Sequence, residues 1–159
     1  MKTLSRFVVL VALVLACPLV ASAQAPQGLA GTWKMNTAKS TYNPGPAPRS
    51  QTSVWAVAPG GGWTSTVDGV DAAGKPTHTQ QVTMFDGKPV ELKGAPVPTT
   101  RAFSRVDDRT YQFVDRVNGK VTTTTRVTIA ADGKSRTNVA TGTNAEGKPV
   151  NNTAVWDRQ

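Results

Sequence analysis

The sequence predicts an all-β protein, folded as one antiparallel up-and-down meander barrel of about eight to ten strands. Three observations carry this. Turn signals recur along the chain at Gly60-Gly61, Asp68-Gly69, Asp86-Gly87, Asp107-Asp108, Asn118-Gly119 and Asp132-Gly133, with a Gly-Lys-Pro triplet at Gly74 and again at Gly147. Asn-Gly and Asp-Gly supply the left-handed backbone that tight hairpins need. The runs between them are rich in Thr, Val and aromatic residues, which suit a pleated surface. Beyond the N-terminal segment, no window of about 11 residues keeps a helical period.

Taken in order, the first element is an address. Met1–Ala23 reads as a secretory signal peptide: Lys2 and Arg6 precede an apolar run from Phe7 to Cys17, Pro18 breaks it, and Ala21-Ser22-Ala23 is a small-x-small cleavage site. The run is shorter than the roughly 20 apolar residues of a membrane-spanning helix. A weaker reading takes Val14-Leu15-Ala16-Cys17 as a loose lipobox with a lipidated Cys17. Cleavage after Ala23 makes the protein secreted or periplasmic, with one working domain over 24–159. That domain has no thiol, and the net charge of +8 falls by two.

The strands follow at Gly31–Asn36, Gln51–Ala58, Trp63–Val67, Thr77–Phe85, Pro89–Leu92, Thr100–Val106, Thr110–Val117, Lys120–Ala130, Ser135–Thr143 and Asn151–Arg158. Short loops make consecutive strands antiparallel neighbours, and closure removes the exposed edges. One connection is long. Thr37 to Ser50 holds Asn43-Pro44-Gly45-Pro46-Ala47-Pro48, a stiff extended path. It either crosses a barrel mouth as a lid or serves as a plain crossover. A shift of 73 positions carries Gly74-Lys75-Pro76 onto Gly147-Lys148-Pro149 and Val54 onto Val127. Duplication and shared hairpin grammar both account for it.

The first strand opens with Gly31-Thr32-Trp33, which resembles the Gly-x-Trp signature of the calycins, the group of lipocalins and fatty-acid-binding proteins. The wider run Gly31 to Ser40 also resembles small secreted bacterial proteins described as lipocalin-like, of unassigned function. The resemblance implies that Trp33 closes one barrel end and that Arg158, in the last strand, packs over it. The lipocalin disulfide and the helical pair capping fatty-acid-binding proteins are both missing, which leaves the ligand type open.

Composition narrows the chemistry. One Cys and one His exclude a Cys/His zinc finger and a three-His zinc site. His78 has neither nucleophile nor orienting carboxylate marked beside it, and the acidic residues fall mainly in turns. No Gly-rich phosphate loop precedes a helix. No catalytic residue, metal or cofactor is expected, and the protein is read as a non-enzyme. The export signal and the absence of a basic run interleaved with aromatics argue against nucleic acid.

Binding is the better prospect. Arg101, Phe103 and Arg105 alternate on one face, Tyr111 shares a face with Phe113, and Arg126 lies in a Thr-rich strand. An inward Arg101/Arg105 face would clamp a carboxylate or phosphate; an outward one would leave two exposed arginines around Phe103. Thr123 and Thr125 share an apolar face, as Gln80 does with Val82 and Met84, so the interior is not wholly aliphatic. The expected ligand is small, amphipathic and anionic, and its site residues are Arg101, Phe103, Arg105, Tyr111 and Arg126. The alternative is a closed core whose lysine-tipped turns (Lys75, Lys88, Lys120, Lys134, Lys148) bind an anionic cell-envelope surface. Either form is expected to be a monomer.

Overall fold

The computed structural model describes residues 25–144 and 146–159. The signal-peptide reading of residues 1–23, Cys17 included, lies outside the described residues. Ten strands follow one another: β1 (Gly31–Thr41), β2 (Ser50–Val57), β3 (Trp63–Val70), β4 (Pro76–Thr83), β5 (Asp86–Glu91), β6 (Thr99–Arg105), β7 (Thr110–Val117), β8 (Lys120–Ile129), β9 (Ser135–Thr143) and β10 (Pro149–Arg158). All pair antiparallel in the order β4-β3-β2-β1-β10-β9-β8-β7-β6-β5. The first and last strands pair, so the meander curls into a barrel. Its two edges, β4 and β5, meet at a single bridge between Gln80 and Lys93. The barrel is closed all round except along this seam.

Most hairpins sit where the turn residues predicted them, but Asp68-Gly69 lies inside β3 and Asp86-Gly87 inside β5, and β4 and β5 pair with β3 and β6 instead of forming a hairpin with each other. The β3–β4 and β9–β10 turns are copies: Asp71 and Asn144 each accept the amide of the lysine four residues on, at 2.8 and 2.9 Å, and each donates its own amide back to that lysine's carbonyl. The two hairpins share one register, Trp63 opposite Thr83 and Arg136 opposite Trp156. In the preceding hairpins the pairing slips by one residue: Ser50 faces Val70, but Thr123 faces Gly142. The repeat is therefore exact in one hairpin and staggered in the other.

Two expectations need correcting. The first strand continues past Asn36 to Thr41, across an irregular register against β10. Ser40 makes this possible: its Oγ donates to the Asn36 carbonyl at 2.7 Å and accepts from the Val155 amide at 3.0 Å, filling the interrupted ladder. The proline-rich connection shrinks to residues 42–49. The second correction concerns β4. His78, Gln80, Val82 and Met84 face outward, while Gln81 and Thr83 are buried. Parity across the sheet explains this. Trp55 must point inward, and Ser65 and then Gln81 stand beside it in register. Phe85 rejoins the interior only through a left-handed backbone (φ 56°), with its amide held by Thr83 Oγ1 at 3.2 Å. Val57 and Val121, which share the alternation faces of Trp55 and Val127, stand exposed at strand ends.

The core is aromatic. Trp55, Phe85, Phe103 and Tyr111 form a cluster with ring centroids 5.5–6.0 Å apart, mostly edge to face. One barrel end is plugged by Leu29, whose carbonyl accepts the Trp33 indole N–H at 2.9 Å. Arg158 lies over the Trp33 ring at 4.7 Å and donates to the carbonyls of Gly28, Ala30 and Gly133. That is the end closure which the Gly-x-Trp resemblance implied.

Candidate ligand cavity

Above the plug the barrel holds a partly open cavity of about 370 Å³, within the range of small-molecule sites. Its wall combines aromatic residues (Trp55, Phe103, Phe113) with hydroxyl and amide groups. Ser53, Ser65 and Thr125 are buried there, as inward positions of β2, β3 and β8. Tyr42, just after β1, adds one side chain from the proline-rich connection, its hydroxyl 3.2 Å from Met35 Sδ. Asn43 ties this connection to β10 through Asn151 and Asn152.

The deep end is built on Arg136, which sequence reasoning did not single out. It is 3% exposed and lines the cavity. Its guanidinium stands between two indoles, 5.1 Å from the Trp33 ring and 4.8 Å from the Trp156 ring. Its Nη1 donates to the Tyr111 hydroxyl at 3.1 Å. No carboxylate pairs with it among the described residues. Burial lowers the Arg136 pKa from its ordinary value and raises that of Tyr111, against the smaller opposing pull each exerts on the other. Arg136 Nε, Trp55 Nε1, Trp156 Nε1 and Asn138 Oδ1 are buried with no hydrogen-bond partner among the described residues. All four belong to residues lining the cavity. Three unpartnered donors, one of them on the Arg136 guanidinium, and one unpartnered acceptor thus belong to residues of the cavity wall.

A signal for Arg136 was present. Counting back from the Gly147-Lys148-Pro149 turn puts Arg136 across from Trp156, whose indole is inward by alternation with Ala154. By local pattern alone, Arg136 alternating with Asn138 resembles a solvent face.

Of the expected site residues, the structure brings three to the cavity: Arg101, Phe103 and Tyr111. Arg101 is inward but already paired, its Nε 2.5 Å from Asp115 Oδ1 and its Nη2 2.9 Å from Asp115 Oδ2. Its guanidinium lies 4.1 Å over Phe113. Arg105 and Arg126 do not join it. Arg105 stands at the end of β6 and turns to the β6–β7 loop, donating to the Asp107 carbonyl and the Asp108 carboxylate. Arg126 is exposed because Thr125 and Val127 take the inward positions of β8. The two-arginine clamp is therefore not formed by Arg101 and Arg105. His78 does have a carboxylate neighbour, Asp68 at 2.7 Å, but both lie exposed on the outer surface.

No protein-family model and no curated protein matches the chain. Solved structures do. The wild-type fluorescent protein UnaG is similar over 82% of this chain and 97% of its own, with TM-score 0.55 and 17% identity. Two of its single-site mutants give TM-scores of 0.53 and 0.51 at 17% and 18% identity, covering 83% and 82% of this chain and 96% and 95% of theirs. At such identity the likeness speaks for the fold alone: this chain is an antiparallel meander barrel like those structures.

Proposed function

We propose that the barrel binds a small amphipathic anion non-covalently, with the acidic head at Arg136 and Tyr111 and the apolar body along Trp55, Phe103 and Phe113. One observation carries the reading: a fully buried guanidinium that faces a cavity and has no carboxylate partner among the described residues. Removing such a charge from water is costly unless something pairs with it. An anionic guest supplies that pair and the missing acceptors for the indole and guanidinium N–H groups. The likeness to UnaG supports a barrel of this architecture as the host. The protein acts by binding, not by catalysis, and does so as a secreted or periplasmic monomer if residues 1–23 serve as its export signal. The exposed lysines at the turns, Lys75, Lys88, Lys120 and Lys134, favour contact with an anionic envelope surface as well.

The test uses dansyl-undecanoate, a fluorescent amphipathic anion, read by energy transfer from the tryptophans. Arg136→Met keeps an unbranched stem, though a shorter one, and removes the charge. Affinity should fall by tenfold or more while stability holds or rises, by up to about 2 kcal/mol, because an unpaired buried charge is gone. Undiminished binding by the variant refutes the reading.

A further inference from the structure

The cavity wall is not uniform around the barrel. On β6 and β7 it is aromatic. Phe103 and Phe113 are direct register partners with ring centroids 5.1 Å apart, and Tyr111 shares the inward face of β7. Elsewhere the wall is made largely of hydroxyls and amides. Gln51 and Ser53 come from β2, Ser65 from β3, Thr125 from β8 and Asn138 from β9. Ser53, Ser65 and Thr125 are buried. Asn138 Oδ1 is buried with no hydrogen-bond partner among the described residues. Register brings the two kinds of wall together: Phe113 stands opposite Thr125, while Tyr111 stands opposite Val127 and Val127 opposite Asn138.

An alkyl chain is a poor match for this wall. It would strip the hydroxyl and amide groups of water and return no hydrogen bond, which is costly for each group left without a partner. A guest with no apolar face would leave Phe103 and Phe113 uncovered. A flat ring meets both demands. Its face packs on the two phenyl rings in the offset or edge-on arrangements that aromatic groups favour, and a hydroxyl on its edge reaches the polar wall. The Arg101–Asp115 pair adds no further anchor, since Asp115 takes up Arg101 Nε and Nη2 and accepts from Thr123 as well.

Distance along β9 places the hydroxyl. Asn138 lies two residues beyond Arg136 on the same inward face, or about 7 Å at 3.3 Å per residue. That is the reach of a fused two-ring acid with a hydroxyl at the end remote from its carboxylate. A cavity of about 370 Å³ stands near the lower end of small-molecule sites and suits so compact a body.

We infer that the guest is a compact aromatic acid with a hydroxylated ring edge: its carboxylate at Arg136 and Tyr111, its ring face on Phe103 and Phe113, and its hydroxyl at Asn138. This rests on the anion-binding reading and narrows it to one ligand class.

The experiment measures three carboxylates on the full chain by titration calorimetry and native mass spectrometry: 6-hydroxy-2-naphthoate, 2-naphthoate and decanoate. The hydroxylated acid should bind at least about threefold more tightly than 2-naphthoate, the worth of one neutral hydrogen bond. It should bind at least about tenfold more tightly than decanoate, whose tail leaves the polar wall unmatched. Asn138→Leu, of similar size, should erase the gap between the two naphthoates. Phe113→Leu should weaken both naphthoates and leave decanoate unchanged. Decanoate binding the unaltered protein as tightly as the hydroxynaphthoate overturns the inference and leaves the anion site standing. A gap between the naphthoates that persists in folded Asn138→Leu refutes the placement of the hydroxyl. Failure of all three acids to bind overturns the inference, and dansyl-undecanoate with Arg136→Met then decides the anion site separately.

Discussion

Gly31 illustrates how one backbone position serves the barrel end. Its φ of 119° is open to glycine, and a Cβ there would lie 3.0 Å from Arg158 Nη1. The glycine of the Gly-x-Trp opening is thus what lets the guanidinium settle over Trp33 and reach the carbonyls of residues 28 and 30. Gly31→Ala should cost about 1–3 kcal/mol through backbone strain and displacement of Arg158. Urea denaturation measures it, and an unchanged midpoint would count against this account. Trp33 itself was legible as a core residue. Its double stacking between Arg158 and Arg136 was not, because Arg136 is distant in sequence and enters only through the pairing of β9 with β10.

Among the elements, the seam between β4 and β5 is the least secured. Their ladders run to β3 and β6, and the seam is bridged by Gln80 of β4 and Lys93 just beyond β5, whose amides and carbonyls exchange hydrogen bonds of 3.0 and 2.9 Å. The bridge depends on Gly94. A Cβ at this residue would lie 2.1 Å from the His78 carbonyl oxygen, and its φ is 78°. Gly94→Ala should part the seam: amide exchange at Gln80 and Lys93 should speed up to that of an open edge, while the β9–β10 amides keep their protection. Hydrogen exchange by NMR resolves the two, and uniform change across the barrel would argue for general destabilisation instead. The strands themselves were readable from turns and Thr/Val-rich runs. The seam was not, since closure is a property of how much the sheet curls.

Across the whole molecule, alkaline pH tests the interior. Both tyrosines, Tyr42 and Tyr111, are held above the ordinary value of 10.0 chiefly by burial. Folding therefore favours their protonated form. The stability this gives is fully present below pH 10.0 and is lost as pH rises through the folded values. Arg136, depressed by burial, contributes with the opposite sign as its own proton leaves. Thermal denaturation from about pH 9 upward, with tyrosinate absorbance followed in parallel, should show ionisation delayed beyond pH 10 and tied to unfolding. Tyrosinate forming at its ordinary pH in the folded protein would contradict the burial of Tyr111 and the partial burial of Tyr42.

The sequence by itself determined the all-β class, the ten strands and most of their hairpins, because period-two alternation and turn residues act over a few neighbours; the Trp33 closure followed from the Gly-x-Trp resemblance. It also foretold a mixed lining, with Thr123 and Thr125 inside. Which arginine enters the barrel was decided only by tertiary structure. Arg101, Arg105 and Arg126 carry the same local signal, yet one is inward and paired with Asp115, one caps a loop and one faces solvent. The local pattern around Arg136 is that of a surface residue, and only its place opposite Trp156 across the hairpin marks it as inward. Its burial follows from the register of β9 against β10 and the inward indoles around it. Charge on a strand has no preferred side until the sheet closes and fixes which face is the interior.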